Sequence, residues 1–207
     1  MKKKSRKKTS RHEIAIILIG ILFIIIGMLA VIKSIKNGNP SQILWFCYAA
    51  VILIGIGFLM RNYYLIITQL NILLIPLIVW NIDFFYVLIT SKTLFGITNY
   101  FFVEGLIIEK VITMQHVFTI PLTLYALYIL KIKRADSWKT SFLELACIFL
   151  MVRLLTSAED NINCAYFSCV NFIPTLMFHP IVWFFAVFLM VFISGFLINQ
   201  LKFLRHK

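Results

Sequence analysis

Charge is scarce in this chain. Asp, Glu, Lys and Arg make up 14% of its 207 residues, against about 25% in an ordinary soluble domain. Apolar residues make up 61%, and mean hydropathy is +0.94. Water cannot be the main solvent for such a composition. A soluble globular fold is therefore excluded and an integral membrane protein is expected. Cysteine is also sparse: Cys47, Cys147, Cys164 and Cys169 form no C-x-x-C pair and no zinc-binding spacing. There is no Gly-rich phosphate loop, no internal repeat and no low-complexity segment beyond the N-terminus. Nothing in the chain calls for a metal or another cofactor.

The net charge of +12 raises the question of nucleic acid. The positions of the charges answer it. Seven of the twenty Lys and Arg lie in residues 1–11, and most others stand at the ends of apolar runs. That is a membrane topology signal, not a groove that tracks phosphates. Nucleic acid is thus not an expected partner; membrane lipid is.

Six apolar runs are long enough to be read as spans. Residues 1–12 form a basic tail suited to anionic head groups on the cytoplasmic face. Ile14 to Ile32 is apolar without a charge and lacks a small-x-small cleavage site, so it is expected to stay as the first span. The others are Ile43 to Met60, Tyr63 to Leu88, Val111 to Leu130, Thr140 to Ser157 and Ile181 to Leu201. Residues 90–110 are amphipathic and too short to cross, and suit an interfacial or re-entrant segment. The expected fold is all-α: one polytopic membrane helix bundle over residues 13–207, with six transmembrane helices. Fifteen Lys and Arg fall on the side of the termini, Arg61 and the 131–139 loop. Only Lys33, Lys36, Lys92 and Lys110 fall on the other side. The positive-inside rule then puts both termini in the cytoplasm of a bacterial plasma membrane.

The stretch Val111 to Leu130 carries the chemistry of most interest. His116, Thr113, Thr119 and Thr123 fall on one side of a helix at 100° per residue. Pro121 cannot donate to the Val117 carbonyl, so a bend is expected there. An ionisable residue inside a membrane helix marks a candidate functional site. With the expected topology, Asp83, His116 and Arg153 stand at the same outer level. The run E-D-N-I-N, with Asn161 and Asn163, joins them, as does Asn99 in the amphipathic segment. The catalytic candidates are His116, Asp83, Arg153 and Asn161; the substrate-binding candidates are Asn99, Thr113 and Asn163. Asp83 could pair with Arg153, or Arg153 with Asp160. Thr98, Thr113, Thr119 and Ser157 are the hydroxyls available as a nucleophile. Gln69 and Asn71 sit deeper and read as interhelical hydrogen-bonding residues, and Glu144 as a partner of Lys139. Each candidate also has a plainer reading: a solvated Asp83, a snorkelling Arg153, a His116 bonded to a neighbouring backbone, turn asparagines. Cys164 and Cys169, with four residues between them, could form a disulfide in an oxidising exterior.

Several stretches together resemble a family of small, uncharacterised bacterial multi-span membrane proteins. They are L-W-F-C at 44–47, W-N-I-D-F at 80–84, G-I-T-N-Y-F-F at 96–102, Q-H-V-F-T-I-P at 115–121 and E-D-N-I-N-C-A-Y at 159–166. More remotely, an intramembrane His in the fourth span and an Asn-rich turn before the last span are similar to the YwaF-type membrane proteins. Through them the chain resembles androgen-induced-type transmembrane hydrolases. The resemblance implies lipid or acyl-ester chemistry with His116 as the base, and it identifies no nucleophile. Two other classes stay open from the residues: a non-catalytic binding or assembly protein, and a small transporter.

Overall fold

The computed structural model describes residues 11–170 and 174–205. The tail expected over 1–12 lies outside them, except for Arg11 and His12, which open the first helix. Among the described residues there are seven α-helices: α1 (Arg11–Lys36), α2 (Phe46–Leu59), α3 (Tyr63–Thr90), α4 (Asn99–Phe102), α5 (Ile107–Leu130), α6 (Ser137–Leu155) and α7 (His179–Gln200). No β-sheet occurs among them, only one parallel bridge between Ile132 and Arg205.

Local chemistry sets the helix ends. Asn62 caps α3, its Oδ1 accepting the N–H groups of Tyr64 and Leu65 at 3.1 and 3.2 Å. Ser91 closes the same helix in the left-handed region, at φ 54°. Glu13 stands in the first turn of α1, with Lys33 and Lys36 in its last, as the helix dipole favours. Pro76 and Pro121 each withdraw one backbone donor, yet α3 and α5 continue through them. Neighbouring helices can serve the freed carbonyls of a membrane helix.

Four helices, α1, α3, α5 and α7, are long and apolar enough to cross a membrane. The other two expected spans differ from them. The one read over 43–60 is helical only over Phe46–Leu59, about 21 Å at 1.5 Å per residue. A 3₁₀ turn at Pro40–Leu44 takes up its start. The one read over 140–157 is α6, whose Lys139, Glu144 and Arg153 make it more polar than the rest. The segment 90–110 divides into a loop over 91–98, the single turn α4, and the first turn of α5.

The bundle is apolar on its outer faces as well as in its core, where Ile54, Phe58, Ile67 and Leu127 are buried. Its outer faces carry apolar side chains, such as Leu18, Ile25, Phe185 and Phe196. Within that apolar core it also encloses a smaller set of polar side chains, Gln69, Asn71, Asp83, Thr119, Ser137 and Ser141 among them. An apolar exterior is the one a hydrocarbon solvent selects, and it is compatible with a membrane helix bundle. Helix α3 is the axis. It packs against α2, α5, α6 and α7, and every residue from Ile66 to Leu74 is buried.

Contacts between helix ends show that the helices alternate in direction. At one end, here the basic end, Arg61 pairs with Glu13 at 2.9 Å and His12 meets the Tyr125 hydroxyl at 2.8 Å. The Ile132 N–H reaches the Leu204 carbonyl there, at 2.7 Å. At the opposite, loop end, Lys33 pairs with Glu109 at 2.9 Å and Asn39 reaches Asp160 at 3.3 Å.

Helices α1 and α2 meet at glycines. A Cβ at Gly55 would lie 2.7 Å from the Gly20 carbonyl oxygen and 2.8 Å from Ile24 Cγ1. Only glycine permits this approach of one backbone to another. Gly55→Val should force the helices apart and destabilise the bundle by about 1–3 kcal/mol. Thermal unfolding in detergent micelles measures this, and an unchanged midpoint would show that the interface relaxes freely.

Candidate functional site

At the loop end, α3 and α5 bring together the W-N-I-D-F and Q-H-V-F-T-I-P stretches. Asp83 is fully buried. Its Oδ1 accepts the Phe95 N–H at 2.7 Å; its Oδ2 accepts the Thr98 N–H at 2.8 Å and the Thr98 hydroxyl at 2.7 Å. Three donors satisfy the carboxylate without a basic partner. Asp83 thus fastens the 91–98 loop to α3. The Asp83–Arg153 ion pair offered by the sequence is not formed, because these nearby donors already surround the carboxylate.

One turn earlier, Trp80 stacks on Phe84 at 5.0 Å and on the His116 ring at 4.8 Å. Its indole N–H donates to the Tyr100 hydroxyl at 3.2 Å. Asn81 donates to the His116 carbonyl at 3.0 Å and to the Leu77 carbonyl at 2.7 Å. Imidazole Nδ1 of His116 lies 2.7 Å from the Thr113 carbonyl oxygen. A carbonyl only accepts, so Nδ1 carries the proton and Nε2 keeps the lone pair. Nε2 is 3.5 Å from the side-chain nitrogen of Gln115. Gln115 is buried and in turn receives the Thr119 hydroxyl, at 2.9 Å on Oε1 and 2.7 Å on the backbone oxygen. The result is a half-buried imidazole of fixed tautomer, held on both sides, with one basic nitrogen.

Asn81 also lines a groove of about 460 Å³ between α3 and α5. Its other walls are Ile78, Ile82, Phe85, Val117, Ile120 and Pro121. Apart from Asn81 the lining is apolar, of the character of an acyl chain.

Arg153, Asn161 and Asn163 stand in a second group at the same end of the bundle, built on the loop after α6. Asn161, Asn163 and Cys164 have φ of 39°, 55° and 57°. Asparagine tolerates this region better than most residues because its short amide can bond locally. Asn161 Oδ1 accepts the N–H groups of Tyr166 and Phe167, and its Nδ2 donates to the Phe167 carbonyl at 3.0 Å. Asn163 Oδ1 accepts the Phe46 N–H at 2.9 Å, and its Nδ2 donates to the Leu44 carbonyl at 2.8 Å. Its own carbonyl accepts the Trp183 indole N–H at 2.7 Å. Cys164 and Cys169 form a disulfide that closes the loop. Asp160 binds Ser41, Ser157 and Asn39, whose hydrogen bonds hold its carboxyl below the usual carboxylate range. Arg153 is exposed and stacks over the Tyr166 ring at 4.3 Å. It meets a π face rather than Asp83 or Asp160.

The described contacts therefore divide the expected site residues. Asp83, His116 and Thr113 belong to the α3–α5 group. Asn99 borders it, exposed and accepting the Thr93 hydroxyl at 3.2 Å. Arg153, Asn161 and Asn163 belong to the disulfide loop, and both asparagine side chains are engaged with backbone. Among the described residues, none of the four candidate hydroxyls is hydrogen-bonded to His116: Thr98 serves Asp83, Thr119 serves Gln115 and Ser157 serves Asp160. Trp80, Asn81 and Gln115 contact His116, with Tyr100 bonded to Trp80, and none of the four was among the site candidates read from sequence. Three of them lie inside the W-N-I-D-F and Q-H-V-F-T-I-P stretches, which is the signal that marked them.

Fold and packing together define the class: an all-helical protein, four of whose helices are long and apolar enough to cross a membrane, with a half-buried histidine among polar side chains toward one end. No protein-family model, no curated protein and no solved structure matches the chain.

Asp83→Ala should leave the Phe95 and Thr98 N–H groups without an acceptor and cost about 3 kcal/mol, the scale of hydrogen bonds to a charged group. Tryptic cleavage after Lys92, in the loop that Asp83 holds, should accelerate at least ~tenfold in a native-state digest. Equal cleavage rates would show the loop is held by other means.

Proposed function

We propose that this protein is a six-span membrane protein that takes an acyl lipid from the outer leaflet and acts on its ester with His116 as general base. The observation that carries the reading is the state of His116. Its Nδ1 proton is committed to the Thr113 carbonyl and Nε2 keeps its lone pair, 3.5 Å from the Gln115 amide, while the next residue, Val117, lines the mostly apolar groove. In the reaction, Nε2 accepts a proton from water as the oxygen attacks the ester carbonyl. The ester C–O bond then breaks, and the proton passes to the leaving alkoxide. An acyl transferase would use an acceptor hydroxyl in place of that water. Kinship with the YwaF-type and androgen-induced-type hydrolases is part of the same proposal. Asp83 acts at a distance here: it fastens the 91–98 loop to α3, the helix that carries Trp80 against His116.

A second reading is a non-catalytic lipid-binding or assembly protein. It is favoured by one observation, that no hydroxyl or thiol is hydrogen-bonded to His116 among the described residues. Turnover of a labelled phospholipid in proteoliposomes separates the two. His116→Gln should lower turnover by about 10²-fold or more if the imidazole is the base. Equal turnover in the variant would remove His116 from catalysis. A wild type that is photolabelled by an acyl-lipid probe along α3 and α5 but turns over no ester would favour the second reading.

The proposal includes both termini in the cytoplasm. The alternating helix directions and the concentration of Lys and Arg at the basic end support it. In intact cells, after reduction with an impermeant phosphine, an impermeant maleimide should label Cys164 and Cys169. Labelling only after permeabilisation would invert the orientation.

A further inference from the structure

The half of the bundle near the basic end holds a second polar group that the His116 pocket does not use. On α6, Ser137, Ser141 and Glu144 recur at the spacing of one helix face and look toward α3. Gln69 Nε2 donates to Glu144 Oε2 at 2.7 Å. Asn71 Nδ2 donates to the hydroxyl oxygens of Ser137 and Ser141 at 3.1 and 3.2 Å. Ser141 in turn donates to the Thr68 carbonyl at 2.8 Å. On the α7 side, Asn199 Nδ2 reaches the Ala135 carbonyl at 3.4 Å. Each amide nitrogen of this set thus has at least one acceptor.

What is left over is three amide carbonyl oxygens and two hydroxyls. Gln69 Oε1, Asn71 Oδ1, Asn199 Oδ1, Ser194 Oγ and Thr123 Oγ1 are buried and have no partner among the described residues. Gln69, Asn71, Ser194 and Thr123 are 0% exposed. Helix α7 comes close to this place: a Cβ at Gly195 would stand 3.6 Å from Asn71 Oδ1. Glu144 adds a carboxylate that forms no ion pair among the described residues. Arg134, at the foot of the same helix, is paired with Asp136, and Lys139 lies over the Trp138 ring. The titratable group on the facing turn of α3 is Tyr64, bonded to Thr140. Helix α7 has none from Pro180 to Gln200. Orphaned acceptors and an unpaired carboxylate in a hydrocarbon-embedded bundle are costly. Water supplies donors but no charge; a cation answers both deficits.

We propose that Glu144, with the side-chain carbonyl oxygen of Gln69, takes up one small monovalent cation, a sodium ion or a proton in competition for the same carboxylate. This site is separate from the His116 pocket and does not rest on the function proposed for it.

The test uses the full chain in nanodiscs of neutral lipid. Thermal unfolding is followed in choline chloride and in sodium chloride at equal ionic strength, at pH 6 and pH 8. The chains compared are wild type, Glu144→Gln, and Glu159→Gln as a loop control. If sodium is the ligand, the wild-type midpoint at pH 8 rises saturably with sodium, as ligand linkage requires. Glu159→Gln follows it and Glu144→Gln does not respond. If the proton is the ligand, sodium has no effect, and the wild-type midpoint shifts between pH 6 and pH 8 in a way that Glu144→Gln lacks. A wild type indifferent to both, or a Glu144→Gln chain with an unaltered response, overturns the proposal and leaves the oxygens to water. Should Glu144→Gln not fold, radioactive sodium binding to the wild type decides. About one ion per chain at pH 8, weakened at least ~tenfold at pH 5, supports the site; no binding together with a pH-independent wild-type midpoint overturns it.

Discussion

A polar group inside a bilayer must be satisfied by the protein itself, and the whole arrangement answers to that constraint. Hydrocarbon offers no partner to an exposed N–H, carbonyl or carboxylate. Helix α3 brings the largest share of such groups, and it is the helix that the others enclose. Asp83 meets its requirement by drawing in the 91–98 loop; Asn71 meets part of its own by docking the serine stripe of α6. Apolar packing excludes lipid from the interior, while the polar contacts of α3 decide which helices adjoin it and in what register.

The two ends of the bundle use polarity differently. At the basic end, charges pair across helix termini, and backbone joins backbone between Ile132 and Leu204. At the loop end, side-chain amides and a disulfide replace secondary structure. Asn161 and Asn163 hold a segment with three non-glycine residues in the left-handed region. That segment ties the end of α6 to the starts of α2 and α7. It also explains how α2, at 14 residues, can be short: the preceding 3₁₀ turn is held by Asn163.

The His116 pocket shows what side-chain order adds to helix order. The imidazole could be placed on α5 and near Asp83 by counting residues. Its tautomer could not, because that depends on the Thr113 carbonyl one turn away. Nor could its stacking on Trp80, which requires α3 and α5 at one rotation. Arg153 illustrates the reverse case. Spacing put it level with Asp83, but side chains at the same depth meet only if their helices face each other. Its guanidinium found the Tyr166 ring of its own loop instead.

Composition and hydrophobic runs by themselves determined the solvent, the all-helical class and the approximate place of the long helices. They could do so because a bilayer permits little else for such a chain. Charge placement identified a basic end, since Lys and Arg resist burial wherever they stand. Only the tertiary structure decided which polar groups share a pocket. A helical period fixes the angle of a side chain about its own axis, but not the rotation of that helix against its neighbours. That rotation gave Asp83 to a loop, Glu144 to Gln69 rather than Lys139, and Trp80 to His116.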